Sequence, residues 1–327
     1  MSKLVTIFGG SGFVGRYIVR RLAQNGWRIR VACRSPEEAG FVRTYGVVGQ
    51  VEPVFCNIRN DDSVRGVTRG VDAVVNCVGV LAETCKNTFK AVQAEAPGRI
   101  ARIARAEGVA RMVQISAIGA DSDAASAYAR TKAEGEAAVT EHMPGAVILR
   151  PSVIFGPEDE FFNRFAGMSR LGPVLPVVGA GTRFQPVYVD DVAAAAVAAL
   201  DSPTVQGVYE LGGPDVATFR ELMQRMLSVI QRKRIVANIP FPVARLMAGG
   251  FGLLKTLTLG LVTPPLTTDQ VRNLAVDNVV SDGARGLRDL GVAPTAMESV
   301  LPDYLWRFRP SGQYTAIKNS AKNLKQS

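Results

Sequence analysis

Gly9-Gly10-Ser11-Gly12-Phe13-Val14-Gly15 separates a continuous apolar run, Leu4–Phe8, from an amphipathic segment that stops at Asn25 and Gly26. The apolar run reads as a buried strand and the segment after the turn as a helix. Gly9, Gly12 and Gly15 recur at every third position across the turn. The first glycine permits a tight turn. The second lets backbone N–H groups approach a pyrophosphate, and the third lets the helix close on the strand. The helix N-terminus then offers unpaired N–H groups and a partial positive charge to the anion. Glycines alone are a weak signal; at the first strand–helix junction of a βαβ unit they carry weight. Gly9, Ser11, Gly12, Phe13, Val14 and Gly15 are therefore the candidate dinucleotide cradle.

Outward from this turn, strands are expected at residues 28–33, 51–55, 73–77, 112–116 and 147–149. Helical patterns lie between most of them, the clearest over 88–107. Short strands alternating with helices predict an α/β Rossmann fold, a doubly wound parallel sheet with right-handed crossovers. A smaller, mostly helical C-terminal domain should follow. The expected division is residues 1–218 for the dinucleotide domain, with 156–186 contributing to its cleft, then 219–309, then a basic tail over 310–327.

The second strand ends at Arg34-Ser35. A carboxylate near this position accepts hydrogen bonds from the adenosine ribose hydroxyls of NAD. It would repel a 2′-phosphate, whereas a guanidinium pairs with one. NADP(H), and NADPH in particular, is thus the expected cofactor, with Arg34 and Ser35 on its ribose. Arg16 adds positive charge nearby without an assigned role.

Composition narrows the function classes. Lysine and arginine number 38 against 29 acidic residues, a net of +9, which suits an acidic partner. Cys33, Cys56, Cys77 and Cys85 show no metal-binding spacing, and the single histidine, His142, leaves no histidine metal site or Ser-His-Asp triad. Cysteines at strand ends fit a reducing compartment rather than a disulfide framework. No helix-turn-helix, zinc or RNA-binding signature is present, so nucleic acid is not an expected partner.

These residues resemble the extended or atypical short-chain dehydrogenases/reductases. Asn57-Ile58 stands where that superfamily contacts adenine, and Cys77-Val78-Gly79 where it lines the cofactor after the fourth strand. Tyr128-Ala-Arg-Thr-Lys132 matches its YxxxK motif. Three longer stretches, 128–136, 150–168 and 185–192, look like one subgroup: the nucleotide-binding accessory subunit of respiratory complex I, NADH:ubiquinone oxidoreductase. The likeness runs from residue 3 to about residue 310.

The resemblance implies roles. Tyr128 and Lys132 share a helix face; in an active member the tyrosine exchanges the substrate proton. The lysine lowers the tyrosine's pKa and binds the nicotinamide ribose. A third hydroxyl should end the fifth strand. If Ser116 holds that register, the triad is complete; if Ser116 matches the structural serine, Ala117 holds it and no hydroxyl remains. Pro151, Ser152 and Val153 should pass the nicotinamide end.

Residues 222–268 contain no acidic side chain and hold Arg225, Arg232, Lys233, Arg234, Arg245 and Lys255. Their apolar stretch, 241–262, is interrupted by charges and glycines. It suits an interfacial segment or the surface of an integral membrane subunit better than a span. The expected function is an NADP(H)-binding accessory subunit of the peripheral arm, supporting assembly or stability without turnover. Its partners would be other complex I subunits and the membrane surface. With the first strand directly after Met-Ser-Lys, the expected location is the cytoplasmic face of a bacterial inner membrane. The alternatives are an independent NADPH-dependent reductase or epimerase, and an NADP(H) redox sensor.

Overall fold

Leu4–Phe8 (β1) is buried almost throughout, as a strand covered on both faces must be. In the computed structural model, which describes residues 3–84, 86–257, 266–310 and 312–314, β1 lies inside a seven-stranded parallel sheet. The other strands are Arg28–Cys33 (β2), Val51–Phe55 (β3), Ala73–Asn76 (β4), Arg111–Ile115 (β5), Val147–Pro151 (β6) and Gly207–Leu211. Their order is Gly207–Leu211, β6, β5, β4, β1, β2, β3. The chain reverses direction across the sheet between β1 and β4. Ligands of open α/β sheets bind at such a switch point, outside the carboxyl ends of the strands.

The crossover helices form where the sequence supplies an apolar stripe and a cap. In Phe13–Gln24 (α1) Ile18, Val19, Leu22 and Ala23 are buried on one face, and Gly26 with φ +79° ends the run. Asp61–Thr68 (α2) is capped by Asn60, whose side chain accepts from Ser63 N–H at 2.8 Å. The helix expected over 88–107 is two pieces, a π-helical turn at Lys90–Glu95 and Ala96–Ala106 (α3). Pro97 is the physical reason: it has no N–H to give the Gln93 carbonyl, so the regular ladder breaks there. Ala127–His142 (α4) follows β5 and is capped by Ser126.

The described residues group into two compact units, and these do not follow the division expected at residue 218. One comprises Met1–Ser152, Val189–Gly212 and Val280–Pro294; the other comprises Val153–Tyr188, Gly213–Val279 and Thr295–Ser327. Strand pairing is the cause. Val174–Val178 pairs with Ile235–Ile239, and Arg183–Phe184 with Ala217–Thr218, so 156–186 shares a core with the segment Gly213–Val279. Within the first unit, Arg21 donates to both carboxylate oxygens of Asp190 at 2.7 Å, tying α1 to the helix Val189–Asp201.

The segment after residue 218 is mostly helical, as expected, with the strand Ile235–Ile239 between the helices Phe219–Val229 and Phe241–Leu257. The core of the second unit is Phe155, Phe162, Phe184, Phe219 and the face of Phe219–Val229. Asp159 is buried in this unit and accepts from Asn163 N–H at 3.0 Å and from Tyr304 O–H at 2.6 Å. The helix Phe241–Leu257 is inverted for a water-facing element. It buries Ala244 and Ala248 and exposes Val243, Leu246 (79%) and Met247. Residues 258–262 of the apolar stretch and Lys318, Lys322 and Lys325 of the tail lie outside the described residues. No described helix is long and apolar enough to cross a membrane.

The basic run is not wholly a free surface. Arg232 Nε donates to the Phe308 carbonyl at 2.8 Å, and Arg234 Nε to the Ser169 carbonyl at 2.7 Å. Arg225 pairs with Glu298 at 3.1 Å. These three brace the second unit.

Candidate functional site

The glycine turn closes at the carboxyl end of β1. Gly9 takes φ +74°, and its N–H donates to the Ala32 carbonyl of β2 at 3.0 Å. A Cβ on Gly9 would lie 3.2 Å from Val78 Cγ2, and one on Gly15 only 2.3 Å from the Gly9 carbonyl oxygen. Gly15 is thus demanded by the approach of α1 to β1. Gly12 is different. It is the N-cap of α1 with no side-chain cap bond, and a Cβ there would meet only the Gly9 oxygen, at 3.2 Å. The space beyond it is open, and the first N–H groups of α1 have no intrahelical acceptor. Ser11, Phe13 and Val14 lie along this opening. The cradle fits a pyrophosphate on both counts: room where a side chain would intrude, and donors without acceptors. Gly10 was missed on the sequence, although a Cβ there would stand 3.0 Å from Val31. Only the packed β2 side chain reveals that.

The other expected contacts gather at the same edge. Arg34 is exposed just past β2, and Ser35 follows it. Asn57 follows β3; its N–H donates to Ser63 Oγ and its side-chain oxygen accepts from Arg59 N–H. Ile58 is half-buried against the core around Val64 and Ile100. Cys77 and Val78 follow β4 and are half-buried, while Gly79 is exposed. Asn76 orients this loop: its oxygen accepts from Val78 N–H at 3.1 Å and its amide donates to Gln114 at 2.9 Å. The Cys77 thiol is pushed up to about 12 by burial, so it stays protonated.

On α4, Tyr128 and Lys132 come together as their spacing implies. Lys132 is buried, its Nζ 5.8 Å from the Tyr128 ring centroid and donating to the Ile115 carbonyl at 3.5 Å. A Cβ on Gly79 would lie 3.5 Å from that Nζ, so the amine faces the loop after β4. Gln93 fastens the arrangement, and no local sequence signal marked it. Its amide donates to the Val80 carbonyl at 2.7 Å and its oxygen accepts from Thr131 at 3.0 Å. Gly135 allows this, because a Cβ there would overlap the Gln93 carbonyl.

The electrostatics depart from an activated pair. Burial pushes the Tyr128 hydroxyl up to about 12, against the lowering that the resemblance implies. Burial pushes Lys132 down to about 8, with Glu136 and then Cys77 opposing. The unfolded lysine, at 10.5, holds its proton longer. Between those values the unfolded chain binds more protons, so stability gains from rising pH, by at most about 1.4 kcal/mol per pH unit. Melts of the protein and of Lys132→Met at about pH 7.5 and about pH 9.5 are expected to show that gain in the parent alone. A constant gap between the two would contradict the buried amine.

Ser116 is buried and its N–H donates to the Leu149 carbonyl at 2.7 Å. Its hydroxyl oxygen is sealed from solvent and has no hydrogen-bond partner among the described residues. Ala117, the next residue, is the more exposed of the two. Pro151 ends β6, and Ser152 is buried, its N–H donating to the Leu211 carbonyl at 2.9 Å. Val153 belongs to the second unit, where its N–H donates to Asn278 at 3.0 Å.

Comparison with known proteins gives the family and the fold. The NAD dependent epimerase/dehydratase family matches residues 5–212. The chain is 35% identical to the NADH dehydrogenase [ubiquinone] 1 alpha subcomplex subunit 9, mitochondrial, of Arabidopsis thaliana, over 94% of this chain and 79% of that protein. It is 32% identical to the ceramide reductase of Caulobacter vibrioides, over 73% of this chain and 74% of that one. The UDP-glucuronic acid 4-epimerase of Bacillus cereus, solved with UDP-glucuronic acid and NAD, shares the fold with a TM-score of 0.67. The identity is 17%, and 97% of this chain and 99% of that one are covered. The protein belongs to the NAD dependent epimerase/dehydratase family and, within it, to the relatives of the complex I alpha subcomplex subunit 9.

Proposed function

We propose that this chain is an NADP(H)-binding accessory subunit of respiratory complex I that supports assembly or stability without turning over a substrate. One observation supports the reading: beside the glycine turn, the Ser116 hydroxyl is buried away from solvent rather than presented to a substrate. Ser116 Oγ is sealed from solvent and Ala117 stands at the strand end. Losing an oriented donor of this kind costs about 10²–10³ in rate. A bound dinucleotide still stabilises the native fold, by about 4 kcal/mol at a thousandfold excess over its dissociation constant. The name of the Arabidopsis relative supports the partner.

Attachment is assigned to the helix Phe241–Leu257. Its outward Val243, Leu246 and Met247, with exposed Arg245 among them, suit a membrane subunit or the acyl boundary with anionic headgroups. The corresponding location is peripheral, at the cytoplasmic face of a bacterial inner membrane. Lys233 and Arg245 are the exposed cations on which this contact draws, since Arg232 and Arg234 brace the unit.

A second reading, an independent NADPH-dependent reductase, is favoured by the retained Tyr128–Lys132 pair and by the ceramide reductase relative. Mild solubilisation of native membranes separates the two. The subunit is expected to co-migrate with complex I and to release NADP(H) on denaturation. A free, soluble chain that oxidises NADPH with a carbonyl substrate would overturn the proposal. Tyr128→Phe is expected to leave respiratory turnover of the assembled complex within about twofold of the parent, since no proton transfer depends on it. A collapse of turnover with normal assembly would assign chemistry to Tyr128.

A further inference from the structure

A groove of about 760 Å³ runs between α4, β6 and the edge strand Gly207–Leu211, all within the first unit. Ile148 and Val208 give it an apolar floor, and Ala133 and Ala137 a low wall on α4. Arg150 lies at its base, already committed. Its Nε and one terminal nitrogen donate to the Glu136 carboxylate at 3.0 and 2.6 Å, and the other terminal nitrogen is 3.6 Å from the Glu210 carboxylate. Glu136 and Glu210 are both buried. One guanidinium thus serves two buried carboxylates, and one negative charge is left over. The Ser281 N–H, 2.8 Å from Glu210, offsets only part of it. Asp121 and Glu141 put two more carboxylates on the exposed rim. Among the described residues no second cation lines the groove. In a chain of net charge +9 the sign is locally inverted here.

We propose that this groove is an interaction surface whose occupant is an arginine- or lysine-bearing segment of a neighbouring protein subunit. The inference rests on the accessory-subunit reading above and names where one partner docks. A buried carboxylate in excess of its cations is costly, so the groove gains most from a cation that reaches its base. The low alanine wall lets a partner's main chain come close enough for such a side chain to extend to Glu136 and Glu210. The rim carboxylates steer a basic segment in and turn an acidic one away. A second copy of the chain fits poorly. A two-fold contact sets a patch against itself, which here would face carboxylates with carboxylates. An anionic lipid surface is rejected by the same sign, so this groove is separate from the membrane contact assigned to Phe241–Leu257.

The test uses the assembled complex purified from native membranes. Asp121→Lys with Glu141→Lys is expected to weaken the subunit's hold on the complex about tenfold at physiological salt, so that graded salt releases it before the parent. Melting and nucleotide content should stay parental, because both side chains are exposed. Glu134→Lys with Asp201→Lys makes the same charge change at exposed sites outside the groove and should release as the parent does. Ala137→p-benzoylphenylalanine should, on irradiation, cross-link to another subunit beside an arginine or lysine. Reversing that cation to glutamate should restore retention of the Asp121 and Glu141 double variant. Parental release of the double variant would overturn the inference. So would equal loosening by the control pair, or a cross-link that goes to lipid, to a second copy, to a segment without cations, or nowhere. In these cases the accessory-subunit reading stands. A parent chain that does not co-migrate with complex I would overturn that reading and, with it, this one.

Discussion

Gly15→Ala is expected to abolish dinucleotide retention and to destabilise the fold by about 3 kcal/mol. The added Cβ would stand 2.3 Å from the Gly9 carbonyl oxygen and 2.7 Å from Gly10 Cα. Both are backbone atoms, so no flexible side chain can move aside. Relief requires α1 to withdraw from β1, yet Ile18, Val19 and Leu22 hold the same helix in the core at 0% exposure. The loss is a large part of a total stability of about 5–15 kcal/mol. The turn opens, and the N–H groups that should face the pyrophosphate lose their aim. Gly12→Ala isolates the binding component: its Cβ touches only the Gly9 oxygen, at 3.2 Å, but intrudes where the anion belongs. It should fold and fail to bind. Thermal unfolding with assay of bound nucleotide reads both variants. A Gly15→Ala protein with parental melting and full nucleotide content would sink this account of the turn.

Arg34→Glu is expected to weaken NADPH by about a thousandfold, roughly 4 kcal/mol. The guanidinium–phosphate pair is lost, and a carboxylate is set against a phosphate. NADH should be retained or improved, because the new carboxylate can accept from the ribose hydroxyls. Arg34 is exposed, so the fold should be unaffected. Titration with both nucleotides decides the matter. A parallel loss for NADH, or unchanged NADPH affinity, would refute the assignment of Arg34 to the 2′-phosphate.

Much of the candidate site was legible because it is local. The glycine turn, Arg34 and the loops after β3 and β4 each follow a strand end, and parallel pairing brings those ends to one edge. The Tyr128–Lys132 pair was legible for the same reason, since four residues on a helix make neighbours. The π-helical turn and Gln93 were not. Pro97 announces a break, but which carbonyl Gly135 must accommodate depends on how α4 lies against that turn. Nor was the state of Tyr128 legible, because burial rather than spacing sets it.

Taken alone, the sequence determined the parallel α/β core, the glycine turn at the β1–α1 junction and Arg34-Ser35, rather than a carboxylate, directly after β2. Periodicity, glycine spacing and residue type decide these within a few positions. The tertiary structure alone decided that 156–186 joins the second unit, that Arg232 and Arg234 brace it, that Ser116 is sealed from solvent, and that Arg16 rests on Phe41. Each of these depends on a partner distant along the chain, and a linear pattern carries no record of which distant surfaces meet.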